Sequence, residues 1–241
     1  MFFISQPKAL LTTIVLAAGT LAVPIASATE KDAQYSSSLT LGSSGVGIEF
    51  SSSTDLSFNS DDSIQWRVGI SGSDYSFDRG DDVEIGGIDY EGDISLMEAR
   101  VGMDWFPSNS GWSEKVFISG GLMYSDIELD ATADGTKGFA VGGTQVNPGD
   151  ITSFNTEIEN QQVMPYLSLG WGNKITGESG IDFQAEIGLR VPTSKADVKV
   201  SAIDTNNILS ATALAKEKKD IEKDINKDLD GFASIAVSYH F

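Results

Sequence analysis

The 241-residue chain has no cysteine and a single histidine, His240. The first absence excludes disulfides and thiolate metal sites. The second leaves a Ser-His-Asp arrangement only one location, at the C terminus beside Ser238. Positive charge is also scarce: 16 Lys and Arg stand against 35 Asp and Glu, for a net charge of −19. That balance is the reverse of the basic surface that nucleic acid requires, so no nucleic-acid partner is expected. Beyond the first thirty residues no apolar run is long enough for a transmembrane helix. If such a chain crosses a membrane, it does so with strands.

The opening stretch, MFFISQPKALLTTIVLAAGTLAVPIASATE, carries one Lys, then an apolar segment from Ala9 to Ala22, then Ala26-Ser27-Ala28. This order is that of a secretory signal peptide spanning 1–28, with cleavage after Ala28, and it predicts export. Residues 29–241 then form one domain of barrel or sandwich type. Loss of Lys8 leaves 15 basic and 35 acidic residues, a net charge of −20, which keeps cationic ligands or bridging divalent ions in play.

What the chain has in abundance is period-two alternation. In IDFQAEIGLRV, Ile181, Phe183, Ala185, Ile187, Leu189 and Val191 share one face, while Asp182, Gln184, Glu186, Gly188 and Arg190 share the other. SIQWRVGISG sets Ile64, Trp66, Val68 and Ile70 against Gln65, Arg67 and Ser71, and LMEARVGMDWF sets Met97, Ala99, Val101, Met103 and Trp105 against Glu98, Arg100 and Asp104. VMPYLSLGWG alternates in the same way, KVFISGGLMYS does so less cleanly, and SLTLGSSGVGIEF reads as a short hairpin. The last strand, ending SIAVSYHF, places Ile235, Val237, Tyr239 and Phe241 on one face. A soluble sandwich would bury such apolar faces against a second sheet; an outer-membrane barrel turns them to lipid.

Three features select the barrel. The segments number eight, and an even count suits a chain that starts and ends in the periplasm. Their connections fall into short polar turns (53–62, 107–114, 173–180) and long stretches (78–93, 131–157, 195–231), as periplasmic turns and extracellular loops do. Trp66, Trp105 and Trp171 lie beside the short turns and Trp112 within one, forming a belt at one membrane interface. The fold class expected is therefore an all-β, eight-stranded antiparallel transmembrane barrel in the bacterial outer membrane. A terminal Phe241 with Tyr239 two residues before it fits the ending by which barrel assembly machinery recognises its clients.

No segment carries a catalytic pattern, and the chain is not expected to be an enzyme or to hold a cofactor. NKDLDG places Asn226, Asp228, Asp230 and Gly231 as in a calcium loop, but the twelfth position falls on Val237, where Glu is required, so no metal site is assigned. ATALAKEKKDIEKDINKDL predicts a helix, with Leu214, Ile221, Ile225 and Leu229 as its stripe and Lys216–Asp220 and Lys218–Glu222 as pairs. It is either a solvated extracellular helix or a lid over the barrel mouth. The loop from Asp78 to Asp93 holds seven carboxylates and one Arg.

Alternation points Glu49, Arg67, Glu98, Arg100, Asp104, Asp182, Glu186 and Arg190 inward. Five carboxylates facing three guanidinium groups leave two without an Arg partner. In a lumen little wider than its own side chains, this set is either an ion-pair plug or a narrow, cation-preferring path.

Several stretches, SSGVGIEF, GIDYEGDISL, GWSEKVFISGGLMYSDIELD, MPYLSLGWG and the Lys/Asp-rich helix, resemble the small outer-membrane barrels related to opacity surface antigens. Within these the chain looks closest to the carbapenem-associated ornithine-uptake porins of gamma-proteobacteria. The resemblance implies an eight-stranded barrel with passage of basic amino acids. Two functions follow as expectations: a narrow porin for small cationic solutes, or a non-conducting structural and surface-interaction barrel serving adhesion or envelope integrity. The expected partners are outer-membrane lipid and lipopolysaccharide, the assembly machinery and small cationic solutes, with the protein a monomer.

Overall fold

Eight of the alternating segments pair edge to edge in a computed structural model that describes residues 33–77, 84–85, 88–136, 138–204, 207–226 and 228–241. The expected signal peptide lies outside the described residues, as do positions 78–83 and 86–87 of the acidic loop. The barrel strands are β1 (Tyr35–Gly42), β2 (Gly45–Ser53), β3 (Ser63–Phe77), β4 (Glu91–Phe106), β5 (Val116–Asp134), β6 (Ser153–Gly172), β7 (Gly180–Arg190) and β8 (Asp230–His240). Each is antiparallel to the next, and β8 returns to β1 with His240 opposite Ser36 and Ser234 opposite Gly42. The ring is closed, so its backbone donors and acceptors are satisfied between strands and no edge faces lipid.

The walls are uneven. Strands β1 and β2 have 8 and 9 residues and meet at a two-residue turn, Ser43–Ser44, whereas β5 and β6 have 19 and 20. At roughly 3.3 Å per residue, the β5–β6 wall runs on the order of 30 Å further along its strands than the β1–β2 hairpin. Strand β7 stops at Arg190, and the upper half of β6 is paired instead by Asp197–Ile203.

Along the tall strands the in–out pattern inverts without a break in pairing. Low on β5 the outward residues are Ile118, Leu122 and Tyr124; higher up they are Asp126, Glu128 and Asp130, while Leu129, Ala131 and Ala133 turn inward. On β6, outward Val163, Leu167 and Leu169 give way to Glu157 and Glu159, with Phe154 and Ile158 buried inside. The lower half is built for lipid and the upper half for water. Parts of 78–93, 131–157 and 195–231, expected as loops, are therefore strand: β4 begins at Glu91, β5 runs to Asp134, β6 begins at Ser153, and a hairpin is formed by Phe139–Val141 and Thr144–Val146.

The upper half encloses an apolar core in which Phe77, Ile88, Tyr90, Val141, Val146 and Phe154 are almost wholly buried. Helix α1 (Ala211–Ile225) closes over it. Ser210 caps its first turn by accepting from the Ala213 N–H at 3.2 Å. Ile221 and Ile225 pack with Ile158, Ala196 and Val198, so the helix is a packed lid rather than a solvated loop. Leu229 lies beyond the helix and is exposed. Of the expected pairs, Lys218 Nζ lies 3.6 Å from Glu222. The Gly142 N–H donates to Glu217 Oε2 at 2.6 Å, joining helix to hairpin. With φ of 57° and Ala213 O 2.1 Å from where a Cβ would sit, position 142 accepts glycine only.

Burial pushes the Tyr90 phenol up to about 12, against the contact with Thr156 and helped by the Glu217 carboxylate. Folding thus favours the neutral phenol. That contribution is complete below the unfolded value of about 10 and is lost as pH rises through about 12. Near-ultraviolet circular dichroism should show the cap loosening across this window, with a smaller change in Tyr90→Phe.

Candidate functional site: the barrel lumen

The eight residues expected inside all lie inside, and they gather into three ion-pair groups. Arg67 of β3 is the hub and is completely buried. Its Nη1 and Nη2 donate to Glu186 of β7 at 2.8 and 3.0 Å, a two-pronged pairing that suits the planar guanidinium. Nη2 also lies 2.8 Å from Asp104 Oδ1 and donates to Ser119 Oγ at 2.9 Å, and Nη1 lies 3.6 Å from Glu49 Oε2. One side chain therefore ties β2, β3, β4, β5 and β7 across the lumen. Arg100 pairs with Glu49 and lies 3.1 Å from Glu186 Oε2, and Ser168 Oγ donates to Glu186 Oε1 at 2.6 Å.

In the second group, Arg190 pairs with Glu98 and with Asp230 Oδ2 at 2.7 Å, while Ser44 Oγ donates to Glu98. In the third, Lys115 Nζ is 2.8 Å from Asp182 Oδ1. The expectation of two carboxylates without an Arg partner is corrected here: among the described residues only Asp182 lacks one. Arg67 serves three carboxylates at once, and Lys115, at the edge of a turn, reaches inward to Asp182.

Space left between these groups is filled by aromatics laid over glycines. Built Cβ atoms at Gly102 and Gly121, opposite one another on β4 and β5, would meet the Tyr166 ring system at 2.1 and 3.0 Å. Tyr166 packs with buried Met123 and Phe232, the two rings 6.0 Å apart. A cavity of about 30 Å³ lies where Glu49, Glu98 and Arg100 approach the Ser43–Ser44 turn on the low wall. That is about the volume of one water molecule.

The periplasmic end has a polar floor. Asn173, in the left-handed region at φ 52°, accepts from Ser36 Oγ at 2.6 Å, lies 3.1 Å from His240 Nε2 and donates its N–H to Asp182 at 3.1 Å. Its carbonyl accepts from Gln65 Nε2 at 3.0 Å. Asn173 and Lys115 escape the alternation argument because they stand in turns, where period-two reading stops. Ser238, the neighbour of the single histidine, is held by Ser38 at 2.7 Å.

Around this floor runs the aromatic belt. Trp66, Trp112 and Trp171 are exposed, and Trp105 Nε1 donates to Asp62 Oδ2 at 2.8 Å. Phe241 joins it, with ring centroids 6.4 Å from Tyr239 and 6.0 Å from Tyr35. Its N–H donates to Tyr35 O at 2.9 Å, and its carbonyl accepts from Gln34 and Tyr35 N–H groups at 3.1 Å each. Deleting Phe241 removes both stack and bonds at the β1–β8 seam. The fraction of protein migrating as folded barrel in unheated membrane samples should fall several-fold, while Phe241→Tyr stays near the parent.

The chain matches no family profile and no curated protein sequence. Among solved structures it is similar to Acinetobacter baumannii CarO, with a TM-score of 0.56 and 21% identity over 86% of this chain and 97% of that one. It is likewise similar to CarO2 of the same organism, with a TM-score of 0.58 and 19% identity over 87% of this chain and 99% of that one. With a closed ring of strands, an outward apolar band and a belt of aromatic side chains, the chain is a transmembrane β-barrel of the bacterial outer membrane that shares its fold with these proteins.

Proposed function

We propose that the barrel is closed at rest and serves as a structural and surface-presenting element of the outer membrane. The observation that carries this reading is Arg67: fully buried, it pairs with Glu49, Asp104 and Glu186 across the lumen, beside a cavity with room for about one water. Above it, an apolar core and helix α1 cover the mouth, and the outward face of the tall wall is acidic. Purified protein in planar bilayers should give no unitary conductance, and proteoliposomes should take up ornithine or arginine no faster than empty vesicles. Steady cation-selective current in the parent would overturn the reading.

A second reading, a narrow porin for small cationic solutes such as basic amino acids, draws on the position of the cavity. It meets the low β1–β2 wall, where Glu49 and Glu98 line it. Carboxylates at an entrance favour cations, so under this reading Glu98→Gln should weaken cation selectivity and slow ornithine uptake.

A further inference from the structure

Half of the chain's Lys and Arg residues, eight of 16, fall between Arg190 and Lys227. Three of them, Lys195, Lys219 and Lys223, converge on one groove of about 860 Å³. It runs between the segment following β7 and the C-terminal half of α1. Lys219 and Lys223 are four residues apart and so share a helix face, with Lys195 across from them. Glu222 and Asp228 also line the groove, and Glu222 is already 3.6 Å from Lys218. Among the described residues none of the three lysines has a carboxylate within ion-pair distance, whereas Lys115 has one and Lys199 and Lys218 have two each.

The height of the groove is as telling as its charge. Its lower lip is Val191, which continues the exposed apolar series of Ile187 and Leu189 on β7. Thr193 Oγ1 donates to the carbonyl of Val163 at 2.7 Å, and Val163 is the last outward apolar residue of β6 before Gln161 and Glu159. The lysines therefore stand where hydrocarbon ends and head groups begin, on the extracellular side. Elsewhere at this level and above, the outward surface carries Asp126, Glu128, Asp130, Glu157 and Glu159, which repel phosphate.

We infer that this groove binds the phosphate groups of outer-leaflet phosphoglycolipid directly, without a bridging metal ion. Ammonium groups on flexible stems supply point charges suited to phosphate oxygens, and acyl chains find apolar side chains immediately below. The acidic wall would hold the same lipid only through divalent ions, so the barrel engages its lipid annulus in two chemically distinct ways on two sides.

The test uses the full barrel in detergent, with bisphosphorylated lipid A as the probe, in buffer containing EDTA and read by native mass spectrometry. The parent should retain the lipid. The triple variant Lys195→Gln, Lys219→Gln, Lys223→Gln should bind at least tenfold more weakly, the corresponding Arg variant should bind like the parent, and Lys199→Gln, whose amine is occupied by Glu157 and Glu159, should be unaffected. Dephosphorylated lipid should bind the parent at least tenfold more weakly. All variants are first checked for the heat-dependent mobility of a folded barrel. Undiminished binding by a folded Gln triple variant would overturn the inference. So would complete loss of parent binding in EDTA, or displacement of the lipid by millimolar inorganic phosphate.

Discussion

Arg67→Met is expected to destabilise the refolded barrel by about 3–5 kcal/mol, the range for removing one partner of a buried charge pair. Three carboxylates depend on that guanidinium. Glu49 and Glu186 keep Arg100, but among the described residues Asp104 has its ion pair with Arg67 alone. Because the lumen walls exclude bulk water, the abandoned carboxylate is poorly solvated and must either take up a proton or draw water inward. A urea titration of the fraction that runs as folded barrel without heating would report the loss. Combining Arg67→Met with Asp104→Asn and Glu186→Gln should recover much of it, since the charges to be compensated go too. Equal stability of Arg67→Met and the parent would mean that the network is hydrated and that the lumen is not plugged.

The second large effect belongs to the extracellular half. Ile221→Asp places a carboxylate where Ile158, Ala196 and Val198 enclose the helix, at a site only 2% exposed. Losing that side chain and burying a charge together cost about 3 kcal/mol or more. Only the upper halves of β5 and β6 reach this core, through Leu129 and Ile158, and the lipid-facing lower halves do not, so the cost should appear as local opening of α1. Trypsin cleavage at Lys216, Lys218, Lys219 and Lys223 should accelerate on the order of a hundredfold, as expected when cutting follows the open population. Heat-dependent mobility of the barrel should persist. Simultaneous loss of barrel and helix would show that the cap and the ring fold as one unit.

The sequence made the lower half of this molecule legible and obscured the upper half for one reason. From Val116 to Tyr124 the outward face of β5 is apolar, with Ile118, Leu122 and Tyr124, and beyond Tyr124 only the inward face is. A reader following one face of a lipid-exposed strand sees the pattern end at that crossover and infers a loop, although hydrogen bonding continues to Asp134. Inward charges were readable because alternation alone assigns a side, and Arg67, Glu186 and their companions obey it. Their pairing was not, because which carboxylate an Arg reaches depends on stagger between distant strands, as with β3 and β7. Asn173 and Lys115 carry no periodic signal. Helix α1 was visible in composition, but its partner, the strand Asp197–Ile203, was hidden by the break at Pro192.

The inversion of faces along β5 and β6 also acts as a waterline. Sinking the barrel by one residue pair would draw Asp126 or Gln161 towards hydrocarbon, and sinking it further would draw in Glu128 and Glu159. On a lipid-facing strand a charge costs about 0–1 kcal/mol near the interface and more towards mid-bilayer, less for Asp and Glu than the roughly 2–4 kcal/mol of Arg and Lys, so resistance grows with each residue drawn in. Raising it would draw the Trp belt into hydrocarbon and wet the top of the apolar band below Tyr124. Depth is therefore set by the tall wall, while β1 and β2, which end at Gly42 and Gly45, carry no acidic stop of their own. A membrane that thickens or thins around this protein should meet a firm level on one flank and a yielding one on the other, so the barrel's answer to mismatch is to lean.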